Sequence, residues 1–323
     1  MIVVFKIGCC ITSSATDQSQ GKASFVTSIL LICFLLGPEK DLYNHEWRRV
    51  NLSKIGDHLE KIYSLDGKII ILTGAAGGIG RELAFGMAGA GGTIALCDIN
   101  LKAAQQLESE IAAEGGKAVA FELNVMDKAS IKACVDAIVE RFGKIDVLIN
   151  CAGINKREGI LDVEESTYDR IMGINLKGVF MMSQEVGKQM FKQKSGNVIN
   201  IGSHNDEDML GGCSVYGATK SGVVALTRSM AVEWAQYGIR ANAISPGHIL
   251  TPLSAVTWEH PTRSVWLRER IAMRRPGKPK ELVGMCIMLA SDASSYMTGQ
   301  AYHIDGGCLV GGSPWDFDTK YKA

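Results

Sequence analysis

Tyr216 and Lys220 lie four residues apart in the segment Ser214-Val215-Tyr216-Gly217-Ala218-Thr219-Lys220, and Ser203 precedes the tyrosine by thirteen residues. On a helix, residues four apart share one face. An ammonium fixed there stabilises a phenolate and draws its pKa, ordinarily near 10, toward the working pH. A phenol tuned in this way can take a proton from an alcohol or return one to a carbonyl. Tyr and Lys at this spacing are also common on ordinary helix surfaces, so the surrounding segments must decide.

A glycine-rich stretch, Thr73-Gly74-Ala75-Ala76-Gly77-Gly78-Ile79-Gly80, follows the apolar run Ile69-Ile70-Ile71-Leu72 and leads into a helical pattern. Glycines at such a junction let backbone amides approach a pyrophosphate, whose charge is favoured at a helix N-terminus. Gly78 and Gly80 fill the first two positions of the G-x-G-x-x-G/A fingerprint, but Leu83 occupies the third. Asp98, eighteen residues beyond Gly80 at the end of the next strand, is placed to accept hydrogen bonds from an adenosine ribose. Its other role would be to cap the helix from Leu101. A carboxylate there repels a 2′-phosphate, no basic residue interrupts 74–80, and Lys102 is the one nearby cation. NAD is therefore expected, rather than NADP.

These groups need a frame, and the periodicity supplies one. Strands are expected at 69–72, 93–97, 118–123, 147–149, 197–201, 240–244 and 301–304. Helices are expected at 81–90, 101–113, 130–142, 165–172, 177–191, 216–237 and 280–290, with a short one near 57–63. The first strand is apolar on both faces, as in a covered parallel sheet. Alternation of strand and helix predicts an α/β fold: a single Rossmann-type doubly wound domain with a parallel sheet of about seven strands and helices on both faces. No internal repeat or low-complexity tract interrupts it.

Composition narrows the classes further. Lys plus Arg and Asp plus Glu number 34 each, so nothing points to nucleic acid or an anionic membrane as partner. Apolar residues at 46% and charged residues at 21% are those of a soluble globular protein. The nine cysteines contain no Cys-x-x-Cys, which argues against a disulfide framework or structural zinc and for a reducing, cytoplasmic setting. The six histidines show no metal-ligand spacing, so no metal is expected in the chemistry.

Residues 1–60 lack the regular alternation of the rest of the chain and are read as an N-terminal extension, poorly ordered or non-native. Their apolar run at 25–36 is twelve residues, against the roughly 17–25 a spanning helix needs, and no small-residue cleavage site follows it. Residues 61–323 form the cofactor-binding domain, with a substrate loop near 252–272.

In order and spacing these motifs resemble the short-chain dehydrogenases/reductases over about 63–310. Thr73, Gly74, Gly78 and Gly80 match the family's T-G-x-x-x-G-x-G loop. Asn150-Cys151-Ala152-Gly153 is similar to its N-N-A-G segment, with Cys151 in place of the second Asn. Asn175, Ser203, Tyr216 and Lys220 match the catalytic tetrad, and 246–251 matches the segment that holds the nicotinamide carboxamide. Asn124 stands where the family usually has an Asp beside the adenine.

The resemblance implies Tyr216 as general acid/base and Lys220 as the group that lowers its pKa and binds the nicotinamide ribose. Ser203 would hold the substrate oxygen, and Asn175 a water that connects Lys220 to solvent. It also implies cofactor contacts from Gly74, Gly78, Ile79, Gly80, Asp98, Asn124, Val125, Asn150, Ala152, Gly153, Pro246, Gly247, Ile249 and Thr251. Members of the family usually form dimers or tetramers through the helices carrying Asn175 and Tyr216, and residues 311–317 could reach a neighbouring subunit.

The substrate pocket is expected from Asn155, Lys156 and Arg157, from His204, Asn205 and Asp206, from Cys213 and His248, and from 253–270 with Trp258, His260 and Trp266. This set is polar, which suits a polyhydroxylated substrate better than a steroid or fatty-acyl chain. The segment 152–158 is similar to that of gluconate 5-dehydrogenases and related sugar-acid dehydrogenases, where Lys156 or Arg157 would pair a carboxylate. The expectation is an NAD-dependent oxidoreductase acting on a sugar acid, sugar or polyol. A 3-oxoacyl or other ketone reductase, and a silent dinucleotide-binding sensor or scaffold, are the alternatives.

Overall fold

The computed structural model describes residues 55–252 and 254–311. The apolar run at 25–36, the rest of 1–54 and the C-terminal stretch from 312 lie outside the described residues. Helix α1 (Ile55–Tyr63) crosses the domain boundary expected at 60, and Leu65 just beyond it is fully buried in the core.

Seven parallel strands come after it: β1 (Ile69–Thr73), β2 (Thr93–Asp98), β3 (Lys117–Glu122), β4 (Val147–Asn150), β5 (Gly196–Ile201), β6 (Ile239–Pro246) and β7 (Ala301–Ile304). They pair in the order β3-β2-β1-β4-β5-β6-β7. The order reverses between β1 and β4, and in open α/β sheets a ligand crevice forms at such a point, at the carboxyl ends of the strands.

Successive side chains of β1 point to opposite faces, so its apolar run feeds two cores. Ile70 and Leu72 pack with helices α2 (Gly78–Gly89), α3 (Leu101–Ala113) and α10 (Val283–Ala290). Ile69 and Ile71 pack on the other side with α4 (Lys128–Phe142), α6 (Val179–Gln193) and α7 (Ser214–Trp234). A continuous apolar strand is thus the signature of a sheet with no wet face.

Three departures from the periodicity bear on the site. Helix α2 begins at Gly78, inside the glycine-rich stretch, because apolar spacing does not mark a first turn built of glycines. The helices expected at 165–172 and 177–191 are one rod, in which α5 (Glu165–Met172) passes into α6 through a π-helical segment, Gly173–Gly178. Such π segments recur at functional sites. Two short helices, α8 (Ala255–Glu259) and α9 (Pro261–Arg270), fill the segment read as a substrate loop.

Candidate active site

The loop after β1 is fixed by close backbone approach. Gly74 has φ +64, and a Cβ there would lie 2.7 Å from the Ala152 Cα. A Cβ on Gly80 would lie 2.2 Å from the Gly74 carbonyl oxygen, so only glycine fits this turn. Gly77 caps α2 with no side-chain hydrogen bond, which leaves the helix N-terminus open to an anion. Thr73 Oγ1 accepts hydrogen bonds from the Cys151 and Ala152 amides at 3.1 Å each, tying this loop to the one after β4.

Above both loops lies one continuous cavity of about 1710 Å³, lined by Gly74, Gly78, Ile79, Gly80, Asp98, Asn124, Val125, Ala152, Gly153, Pro246, Gly247, Ile249 and Thr251. Ser203, Tyr216 and Lys220 line it too. Ordinary small-molecule pockets hold roughly 300–1,000 Å³, so there is room for a dinucleotide and a substrate together. The glycine cradle, the open helix end and the carboxylate at Asp98 fit a nicotinamide dinucleotide.

Asp98 sits where an adenosine ribose would be met. Its Oδ2 accepts from the Ala76 amide at 3.0 Å and its Oδ1 from the Asn100 amide at 2.9 Å. It does not cap α3; Asn100 does, accepting from the Ala103 amide at 3.2 Å.

On α7, Tyr216 and Lys220 share a face as expected. Lys220 Nζ stands 5.5 Å from the centre of the Tyr216 ring and donates to the Ile201 carbonyl at 2.7 Å. Burial draws the Lys220 ammonium down to about 8. The phenol does not move down as the sequence suggested: burial pushes it above its ordinary value, and the Ser203 hydroxyl opposes the rise. Desolvation outweighs the ammonium because Lys220 lies over the ring and spends a hydrogen bond on Ile201. Burial thus favours the neutral form of both groups.

Several residues take other places than expected. Asn150 is buried beneath the cavity floor, where its amide donates to Ser183 Oγ at 3.0 Å and Asn200 Oδ1 at 2.9 Å, so it braces strands rather than meeting cofactor. Asn175 is fully buried and locks the loop after β4. Its Nδ2 donates to the Ile154 carbonyl at 2.8 Å, and its Oδ1 accepts from the Ile154 amide at 2.9 Å. Lys156 lies outside the cavity lining, exposed and paired with Glu158 at 2.6 Å. Asp206 turns away to His303, at 2.9 Å, and to Ser245. His260 caps α9.

Arg157, His204, Asn205, Cys213, His248, Trp258 and Trp266 do line the cavity. Cys151 lines it as well, and so do Thr257 and Arg263, which the expected segment 253–270 contains without singling them out. In the sequence Cys151 shows only as a departure from the N-N-A-G pattern, and burial pushes its thiol up to about 12, so it is no nucleophile. Thr257 and Arg263 become visible only once α8 and α9 are folded.

A family model described as enoyl-(acyl carrier protein) reductase matches residues 74–308. The chain belongs to the short-chain dehydrogenase/reductase family. It is 38% identical over 246 residues to the 3-oxoacyl-acyl-carrier-protein reductase FabG of Thermotoga maritima, covering 76% of this chain and 99% of that protein. It is 37% identical over 252 residues to the 5-keto-D-gluconate 5-reductase of Escherichia coli strain K12, covering 78% and 99%. Among solved structures, a gluconate 5-dehydrogenase from Burkholderia cenocepacia J2315, in complex with NADP and tartrate, superposes with a TM-score of 0.76 at 36% identity, covering 78% and 99%. As a short-chain dehydrogenase/reductase the chain is an oxidoreductase acting on CH–OH groups, and its cavity brings Ser203, Tyr216 and Lys220 together.

Proposed function

We propose that the enzyme transfers a hydride between NAD(H) and a secondary alcohol or ketone of a sugar acid, sugar or polyol. The observation that carries the reading is the wall shared with Ser203 and Tyr216. Arg157 donates from Nη1 to Thr257 Oγ1 at 3.0 Å and so is held at the cavity, beside His204, Asn205, His248 and Arg263. A guanidinium with an anchored fork suits a carboxylate, and imidazoles and an amide suit hydroxyls. A bound nicotinamide supplies the hydride acceptor; Tyr216 handles the alcohol proton, Ser203 orients the oxygen, and Lys220 passes the proton on.

NAD is proposed over NADP because the adenosine end is lined by Asp98, Ile99, Asn100 and Ala103, while Lys102, the cation beside them in the chain, is not among the lining residues. Arg81 at the start of α2 is drawn away to Glu110. The relative from Burkholderia carries NADP, so the carboxylate of this chain is the supporting feature, not the kinship. Free cysteines throughout the described residues support a cytoplasmic setting. Exposed Phe180 on α6 and Val232 on α7 support a homo-oligomer, dimer or tetramer, built through those helices.

A second reading, reduction of a 3-oxoacyl group, is favoured by the likeness to the Thermotoga reductase. Absorbance at about 340 nm with NAD and NADP, against sugar acids, polyols, hydroxy acids and a 3-oxoacyl thioester, separates the two. Turnover of the thioester alone would overturn the sugar reading. Tight NAD binding with no turnover across the panel would mark a sensor.

A further inference from the structure

The loops after β5, β6 and β7, three neighbouring strands, bring His204, His248 and Cys308 together at the carboxyl edge of the sheet. One ligand atom from each lies within 4.8 Å of the others. The residues are 44 and 60 positions apart in the chain, a separation at which no metal-ligand spacing shows. His204 and Cys308 are buried and His248 is partly so.

The two imidazoles are prepared as ligands. His204 Nδ1 donates to the Pro246 carbonyl at 3.3 Å, which fixes the ring and leaves the lone pair on Nε2. Nε2 of His204 and Nε2 of His248 are both buried without a hydrogen-bond partner. Two such nitrogens in adjacent rings, centroids 4.5 Å apart, are unusual in a folded protein unless a ligand satisfies them.

We propose that His204, His248 and Cys308 bind a zinc-class divalent ion whose fourth position opens into the substrate cavity. The donor set is two imidazoles and one thiolate, which selects zinc over magnesium or calcium. Donors at roughly 2.0–2.3 Å from a tetrahedral ion stand about 3.3–3.8 Å apart, so side-chain rotation of about 1 Å closes the site. The Cys308 thiol proton is released to buffer as the metal–sulfur bond forms, and no electron changes hands. Both histidines line the substrate cavity, and His204 follows Ser203 directly. The bound ion therefore occupies nitrogens that substrate would meet, and zinc inhibits by competing with the alcohol and not with the dinucleotide.

Cobalt(II) titrated into the full chain without nucleotide reads the site independently of any activity. The expected result is tetrahedral d–d absorption together with a near-ultraviolet thiolate charge-transfer band at one equivalent. Cys308→Ser should lose the charge-transfer band and weaken zinc at least tenfold while keeping turnover, since Cys308 does not line the cavity. His248→Ala should lose the d–d bands as well. An octahedral cobalt spectrum, or a charge-transfer band that survives Cys308→Ser, overturns the site. The inhibition arm rests on the oxidoreductase reading: zinc raising the apparent KM for alcohol, with KM for NAD unchanged, is expected. Competition with NAD instead would overturn the placement of the ion.

Discussion

Lys220 Nζ stands 5.5 Å from the centre of the Tyr216 ring while its hydrogen bond runs to the Ile201 carbonyl. The lysine is thus anchored by the end of β5 and lies over the phenol without pairing its oxygen. That explains two opposite shifts from one cause. Burial disfavours both charged forms, so the ammonium loses pKa and the phenol gains it. In the proposed relay from the phenol to solvent, the lysine is the readier of the two to give up its proton.

Tyr216→Phe should therefore remove the proton donor and leave the cavity. Turnover is expected to fall by about 10²–10⁴ or more. NAD affinity should stay within about threefold. Measuring both on the same preparation distinguishes lost chemistry from lost folding, and near-normal turnover would exclude the tyrosine from the role.

Asp98→Asn tests cofactor choice and gives up one of the two loop hydrogen bonds of the carboxylate, since an amide nitrogen cannot accept from the Asn100 amide. The amide oxygen still accepts from Ala76, whose hydrogen bond to Asp98 is 3.0 Å, while the charge that repels a 2′-phosphate is gone. The ratio of kcat/KM for NADP over NAD should rise about tenfold, roughly 1.4 kcal/mol in the barrier difference. An unchanged ratio would mean that another group sets the preference.

The strands were legible in the sequence because apolar, β-branched residues alternate there with helical segments; β1 is a continuous apolar run, and β7 lies where it was read. Tyr216, Lys220 and Ser203 were legible because their spacing is chemical. Asn150 and Lys156 were not placed correctly. Asn150 ends β4 and Lys156 follows in the loop after it, and only packing decides whether such a side chain turns into the sheet, as Asn150 does, or out to a neighbour, as Lys156 does. The continuous α5–α6 rod was hidden for a similar reason: its π segment carries two glycines, which by local rules end a helix. His204 and His248 were both expected to meet substrate. Their adjacency belongs to the strand order, which no local pattern encodes.

Gly80→Ala should be costly although alanine favours helices. The added methyl carbon would sit 2.2 Å from the Gly74 carbonyl oxygen, so the phosphate-facing turn must shift. Overpacking of this kind costs about 1–3 kcal/mol. A lower melting temperature and at least tenfold weaker NAD binding are expected. Gly89→Ala, where nothing lies within 4 Å of the new carbon, is the control and should leave both unchanged or slightly improve stability.

His248 gives stability a defined pH dependence. Burial first, then repulsion from His204 and Arg157, holds its pKa down to about 4, against an ordinary value near 6.5. Between these values the unfolded chain binds a proton that the folded chain refuses, so stability falls as pH drops from about 6.5 to 4. Above 6.5 both states are neutral and the histidine contributes no slope. Thermal melts at pH 7 and pH 5 should differ more in the wild type than in His248→Gln. Equal differences would assign the acid sensitivity elsewhere.

Arg157 separates the sugar-acid reading from the neutral-polyol one. Its guanidinium is held by Thr257 at 3.0 Å, and Lys156, the other cation considered for this role, does not line the cavity and is paired with Glu158. If a substrate carboxylate is met here, Arg157→Ala loses a charge-assisted contact of about 1.5–3 kcal/mol. That raises KM for sugar acids roughly 10- to 150-fold, with little change in kcat, because the contact is made equally before and during hydride transfer. Neutral polyols should be nearly indifferent to the change. Arg157→Lys keeps the charge but not the planar fork, and should recover only part of the loss. Steady-state kinetics on one sugar acid and one polyol suffice. Equal losses on both substrates would show that Arg157 holds α8 in place through Thr257 rather than binding substrate.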